Sequence, residues 1–169
     1  DECDATAYTA TELNTISVNN ISFVTVTSSF PILSGARTCH RIVFNITETN
    51  ATVTNITVLA THRNDIPAWG SPILLELYIG NVTGKSWKQL ATQSNPSTSI
   101  FYNQTGTINS SASDFVNSTT SSNLVYVLLF ATGEGADPEF GGTLYHYNRY
   151  VWINVTYTTT GSSGYQVVN

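Results

Sequence analysis

Charge is scarce in this sequence and methionine is absent altogether. Six lysines and arginines and 11 acidic residues leave a charged share of 10% in 169 residues, where roughly 25% is usual. A net charge of −5 with so few cations excludes the basic footprint that a nucleic-acid partner requires. No uninterrupted apolar run reaches the ~18 residues of a membrane span. The longest such run, "LVYVLLFA" at 124–131, has the length of a buried strand. With no methionine and Asp1 at its start, the chain reads as a mature product after leader removal. Helix signals are nearly absent. So are the signatures of chemistry: no HExxH, GxSxG or glycine-rich phosphate loop occurs, and His40, His62 and His146 have no ligand-like spacing among themselves. The chain is therefore expected not to be an enzyme and to hold no metal or cofactor. Low charge has one more consequence. With every carboxylate protonated, only six lysines and arginines and three histidines stay charged, so the surface changes little down to strong acid.

What replaces charge is hydroxyl and amide. Serine and threonine number 44 and asparagine 16, beside a hydrophobic share of 41% that is ample for one folded core. Nine Asn-X-Ser/Thr sequons result, at Asn20, Asn45, Asn50, Asn55, Asn81, Asn103, Asn109, Asn117 and Asn154. Composition alone would give roughly four, so the excess points to a secreted chain bearing covalent N-glycans. Its two cysteines, Cys3 and Cys39, suit one disulfide in an oxidising compartment.

Short runs of Val, Ile, Thr, Tyr and Phe broken by Gly, Pro, Asn and Ser predict strands near 15–18, 21–27, 40–47, 53–61, 73–79, 86–90, 98–102, 123–131, 143–157 and 164–168. Segment 103–122 reads as a polar loop or weak edge strand. Strands at this spacing imply an all-β, single-domain β-sandwich or a related Greek-key fold. In "FNITETNATVTNIT" (44–57) a turn centred on Asn50 would form a hairpin. It would set Ile42 against Val58, Phe44 against Ile56 and Ile46 against Thr54 on the inner side, with Asn45 and Asn55 outward. In "YVWINVTY" (150–157) the same alternation turns Val151, Ile153, Val155 and Tyr157 to one face and Asn154 to the other.

Three weaker features compete with blander readings. Glu134, Asp137 and Glu139 in "GEGADPEFGG" (133–142) lack EF-hand spacing and read as a solvated loop. The aromatics of "LYHYNRYVW" (144–152) form either a sugar-stacking platform or a strand packed on the core. "GNVTGKSWK" (80–88) predicts a hairpin with Lys85 near its turn, where a lysine is normally solvated.

The first residues are unlike the rest. "DECDATAYTATELNT" carries no charge from Ala5 to Thr11. Ala5, Ala7, Thr9 and Thr11 share one face, continued by Leu13, while Thr6, Tyr8 and Ala10 share the other. Such a strand is either an edge strand of its own domain or one that adds to a neighbour's sheet. With its Asp1 start, Thr/Ser/Asn/Tyr-rich β pattern, nine sequons and Ala/Thr strand, the chain resembles the glycosylated surface-filament subunits of thermoacidophilic archaea, the thread pilins. The resemblance implies an immunoglobulin-like β-sandwich lacking a strand, which a neighbour completes. Residues 1–13 would hold the donor strand, with Ala5, Ala7, Tyr8, Thr9, Ala10, Thr11 and Leu13 entering the next subunit, and residues 14–169 the sandwich. It implies an extracellular head-to-tail homopolymer serving adhesion or cell–cell contact. Cys3–Cys39 would then lie within or between subunits. The tail "GYQVVN" (164–169), preceded by a flexible "TTTGSSG" (158–164), is the other candidate donor. Competing functions are a monomeric secreted carbohydrate-binding sandwich and an S-layer or viral coat component.

Overall fold

The computed structural model of the chain describes residues 24–30, 36–47, 51–66, 70–118, 123–135, 142–159 and 162–168. They form two antiparallel sheets packed face to face, an all-β sandwich as expected. One sheet holds β1 (Val24–Phe30), β3 (Thr52–Asp65), β6 (Tyr102–Ile108), β9 (Gly142–Thr159) and β10 (Ser162–Val168). The other holds β2 (Ala36–Ile46), β4 (Gly70–Asn81), β5 (Ser86–Ser94), the short β7 (Asn117–Ser118) and β8 (Asn123–Gly135). Among the described residues a single 3₁₀ turn, Ala112–Phe115, interrupts the strands, and no helix is long and apolar enough to cross a membrane.

Period-2 alternation builds the core. Ile42, Phe44 and Ile46 of β2, Leu77 and Ile79 of β4, and Val125, Val127 and Leu129 of β8 face Ile56, Val58 and Ala60 of β3 and Val151, Ile153 and Val155 of β9. All are buried, and each large aliphatic contributes about 1.5–3 kcal/mol by leaving water. The parity expected for 150–157 holds for Val151, Ile153 and Val155, with Asn154 on the outer side. The hairpin expected at 80–88 also forms, Asn81 pairing Ser86, with Lys85 exposed in its turn.

The hairpin expected at 44–57 does not. β2 pairs β8, whereas β3 pairs β6 and β9, so the chain crosses between sheets after β2. Ile42, Phe44, Ile46, Ile56 and Val58 still point inward, and Asn45 and Asn55 outward, but onto opposite faces of the sandwich. Inward apolar faces suit two strands of one sheet and two strands of facing sheets equally, so alternation alone cannot separate them. Thr54 is exposed instead of opposing Ile46, because a bulge between Val53 and Asn55 resets the parity. Within 98–122, residues 98–101 are loop, while β6 is a regular edge strand. The tail is less free than expected: β9 runs through Thr159, and β10 returns along it with Ser162 against Thr159.

Candidate functional site

Seven sequon asparagines lie among the described residues; Asn20 and Asn50 lie outside them. Asn45 on β2, Asn103 on β6 and Asn109 just beyond it are exposed, whereas Asn55, Asn81, Asn117 and Asn154 are half-buried. Side-chain bonds separate them further. Thr61 donates its hydroxyl to Asn103 Oδ1 at 2.7 Å, and the Gly84 amide donates to Asn81 Oδ1 at 2.6 Å. Both leave the glycan-accepting nitrogen unused. Asn117 Nδ2, by contrast, donates to the Tyr126 hydroxyl at 3.1 Å, and Asn154 Oδ1 is buried with no described partner. Glycopeptide mapping of native material is expected to find Asn45, Asn103 and Asn109 more fully occupied than Asn117 and Asn154. The opposite order would show that attachment ignores this surface.

β2 is the second feature. It is the outermost described strand of its sheet, 11 residues paired to β8 on one side only among the described residues. Cys39 lies on its outward side, between Arg37 and Arg41 in the alternation, yet is only 6% exposed, and it is not a free thiol. Cys3 and the expected donor residues Ala5, Ala7, Tyr8, Thr9, Ala10, Thr11 and Leu13 lie outside the described residues.

The aromatic run 144–152 divides by side. Leu144, His146 and Asn148 point into the sandwich, while Tyr145 and Tyr147 stack on the outer face with centroids 6.2 Å apart. They are not packed on the core. Arg63 lies 4.2 Å over Tyr147 and 5.2 Å over Phe101, and Arg149 lies 3.9 Å over Phe101. Arg63 also donates to the Thr98 carbonyl. Guanidinium groups thus occupy the ring faces that a stacking sugar would use. A bulge opposite Thr61 and His62 makes Arg149 the extra residue of β9 and shifts the inward positions from even numbers to odd.

Sequence spacing gave no sign of the most unusual interior feature. His40, His62 and His146, from β2, β3 and β9, meet fully buried between the sheets. Gln104 fixes their protons. Its Nε2 donates to the Leu75 carbonyl at 2.9 Å, so its Oε1 must accept from His62 Nε2 at 2.9 Å. His62 Nδ1 is then an acceptor, filled by His146 Nε2 at 2.9 Å, and His146 Nδ1 is left without a proton or described partner. His40 Nε2 donates to the His146 backbone carbonyl at 3.1 Å. Burial pushes His62 down to about 4 and His146 well below the usual imidazole range, the latter helped by its two histidine neighbours. Such neutral rings are potential metal ligands, but among the described residues no group of three His, Cys, Asp or Glu side chains is arranged to hold an ion. The parity shift at Arg149 puts His146 inside; no sequence motif marks it.

Compared with known proteins, the chain matches no family model and no curated protein.

Proposed function

We propose that this chain is a non-enzymatic structural subunit of an extracellular, N-glycosylated filament, assembled head-to-tail from identical copies by strand addition. The outer edge of β2 carries this reading. Among the described residues β2 pairs with β8 alone, so beside inward Ile42, Phe44 and Ile46 it offers a template on which an extended segment would gain a hydrogen-bond ladder and apolar contact together. Cys39 supports the choice of this edge over that of β5. It sits on β2, and the sequence offers it one partner, Cys3, immediately before the Ala/Thr segment 4–13. A segment linked there starts beside β2, on whichever subunit carries that strand. Head-to-tail addition is heterologous, and where its rotation does not close into a ring it extends as a filament.

The test is removal of residues 1–13, with native and truncated material compared by negative-stain electron microscopy and size-exclusion chromatography. Thin filaments from the native chain and single folded domains from the truncated one are expected. Native material consisting of discrete one-chain particles, or filaments that survive the truncation, would overturn the reading.

A further inference from the structure

The outer face of the β2–β8–β4–β5 sheet carries an open groove of about 240 Å³ where the β4–β5 hairpin meets β8 and β2. Trp87 and Tyr126 wall it, Arg41 and Lys85 stand at its sides, and Gly80 and Asn81 contribute its floor and rim. We propose that it binds an acidic saccharide, a sugar ring carrying a carboxylate or sulfate.

Shape comes first. A Cβ at Gly80 would lie 3.2 Å from Tyr126 Cβ and 3.5 Å from Trp87 Cζ3, so any other residue would fill the notch between the two rings. Trp87 is 42% exposed, a large apolar ring held open to solvent at a hairpin end. Such a ring suits the C–H face of a sugar, which is apolar on one side and hydroxylated around its edge. Asn117 Nδ2 anchors the Tyr126 hydroxyl at 3.1 Å, which keeps the second wall in place.

Charge selects the ligand class. The chain has six lysines and arginines and a net charge of −5, yet two of the six line this groove and no carboxylate among the described residues does. Asp114, beside the hairpin turn, accepts from the Thr83 hydroxyl at 3.3 Å, and Glu76, further along β4, accepts from Gln89 Nε2 at 2.6 Å. Arg41 lies over the Tyr126 ring, 5.6 Å from its centre, which leaves Trp87 as the ring open for stacking, and the Lys85 backbone is fixed in the left-handed region at φ 49°. An exposed stacking ring in Trp87, hydroxyl and amide partners in Ser86 and Asn81, and two cations with no ion pair among the described residues complement a hydroxylated ring bearing an anion. The outer face around Tyr147 lacks this combination, since its rings are covered by Arg63 and Arg149.

The site does not depend on polymer formation, so its test stands apart from that of the filament. Isothermal titration of trigalacturonate, with neutral galactotriose as control, would be made on the full chain. It would be repeated on Thr83→Ala, which removes the Asn81 sequon at the rim. The native chain is expected to bind the acidic trisaccharide and the neutral one at least tenfold more weakly. Trp87→Ala should weaken binding about tenfold through lost stacking. Arg41→Ala and Lys85→Ala should each weaken it about threefold, and molar salt should have a similar effect. Equal binding of both sugars, indifference to all three substitutions, or binding in neither form would overturn the proposal. Binding confined to Thr83→Ala would overturn it for the natural chain, whose own Asn81 glycan would then be the occupant.

Discussion

Lowering the pH from about 7 to about 4 is expected to remove about 3 kcal/mol of folding stability through His62 alone. The imidazole is fully buried, and desolvation of its charged form outweighs the opposing hydrogen bond that its Nε2 donates to Gln104, carrying the pKa from 6.5 to about 4. An unfolded chain, with this histidine near 6.5, takes up a proton across that window, while the folded chain refuses it. The contribution of neutral His62 is thus complete above about 6.5, declines as pH falls through the window, and is gone by about 4. His146 acts in the same direction, because burial and then its neighbours His40 and His62 lower it too. Geometry explains why the cluster resists charging. A proton on His62 Nδ1 would meet the N–H of His146 Nε2, and His146 could yield only by moving its proton to Nδ1, which has no described partner. Urea midpoints at about pH 7, 5.5 and 4 should fall steadily with little change in slope, and the His62 ring resonances should show it still neutral at about pH 5. A stability that stays level over that range would refute the assignment.

This interior acid sensitivity stands against the insensitivity of the surface. A charged share of 10% leaves the exterior few groups for acid to titrate, and composition alone would extend that to the whole molecule. The histidine cluster shows where the extension fails: His62 and His146, buried and held below the usual imidazole range, tie the fold to neutral pH whatever the surface does. A filament working in acid would need stability from outside the sandwich to offset that loss, and strand addition at β2 is the source that the proposed assembly supplies.

The sandwich was legible because its core strands obey period-2 alternation over long runs, as in Val125, Val127 and Leu129 or Val151, Ile153 and Val155. Partner choice was not. β2 and β3 have the alternation of a hairpin but belong to different sheets, since the pattern records which side is buried and not what lies against it. Bulges were equally silent. One at Arg149 turns His146 and Asn148 inward, and the meeting of His40, His62 and His146 follows from that one extra residue together with the packing of two sheets. The groove at Gly80 arises the same way, from cross-strand neighbours Trp87 and Tyr126 that lie far apart in sequence.

Gly106→Ala is expected to destabilise the fold by about 1–3 kcal/mol, although replacing a strand glycine by alanine normally stabilises. Gly106 sits on the inner side of β6, between buried Gln104 and Ile108, and pairs with Val58. Across the open side of the sandwich, β5 carries a bulge between its pairings with Leu77 and Tyr78, and Leu90 is the extra residue. That residue packs against the core directly over Gly106. A Cβ there would lie 2.6 Å from Leu90 Cβ and 3.2 Å from Leu90 Cα. Neither atom is a movable side-chain tip, so relief requires the β5 and β6 backbones to separate, opening the edge where the two sheets meet. Gly133→Ala is the internal control. Its new methyl would meet Cδ1 of Ile66 first, with Ile66 Cγ1 at 3.2 Å and the Ser71 carbonyl oxygen at 3.3 Å, and a turn of the Ile66 tip off its rotamer costs about 0.5–1.5 kcal/mol. Thermal unfolding of the two variants should therefore differ. A loss of about 2 kcal/mol lowers the midpoint by roughly 4–8 °C in a chain of this size, and Gly106→Ala should show that drop while Gly133→Ala shows less. If Gly106→Ala melts at or above the parent temperature, β5 does not approach β6 as closely as the glycine implies, and closure of that edge rests on something other than Leu90.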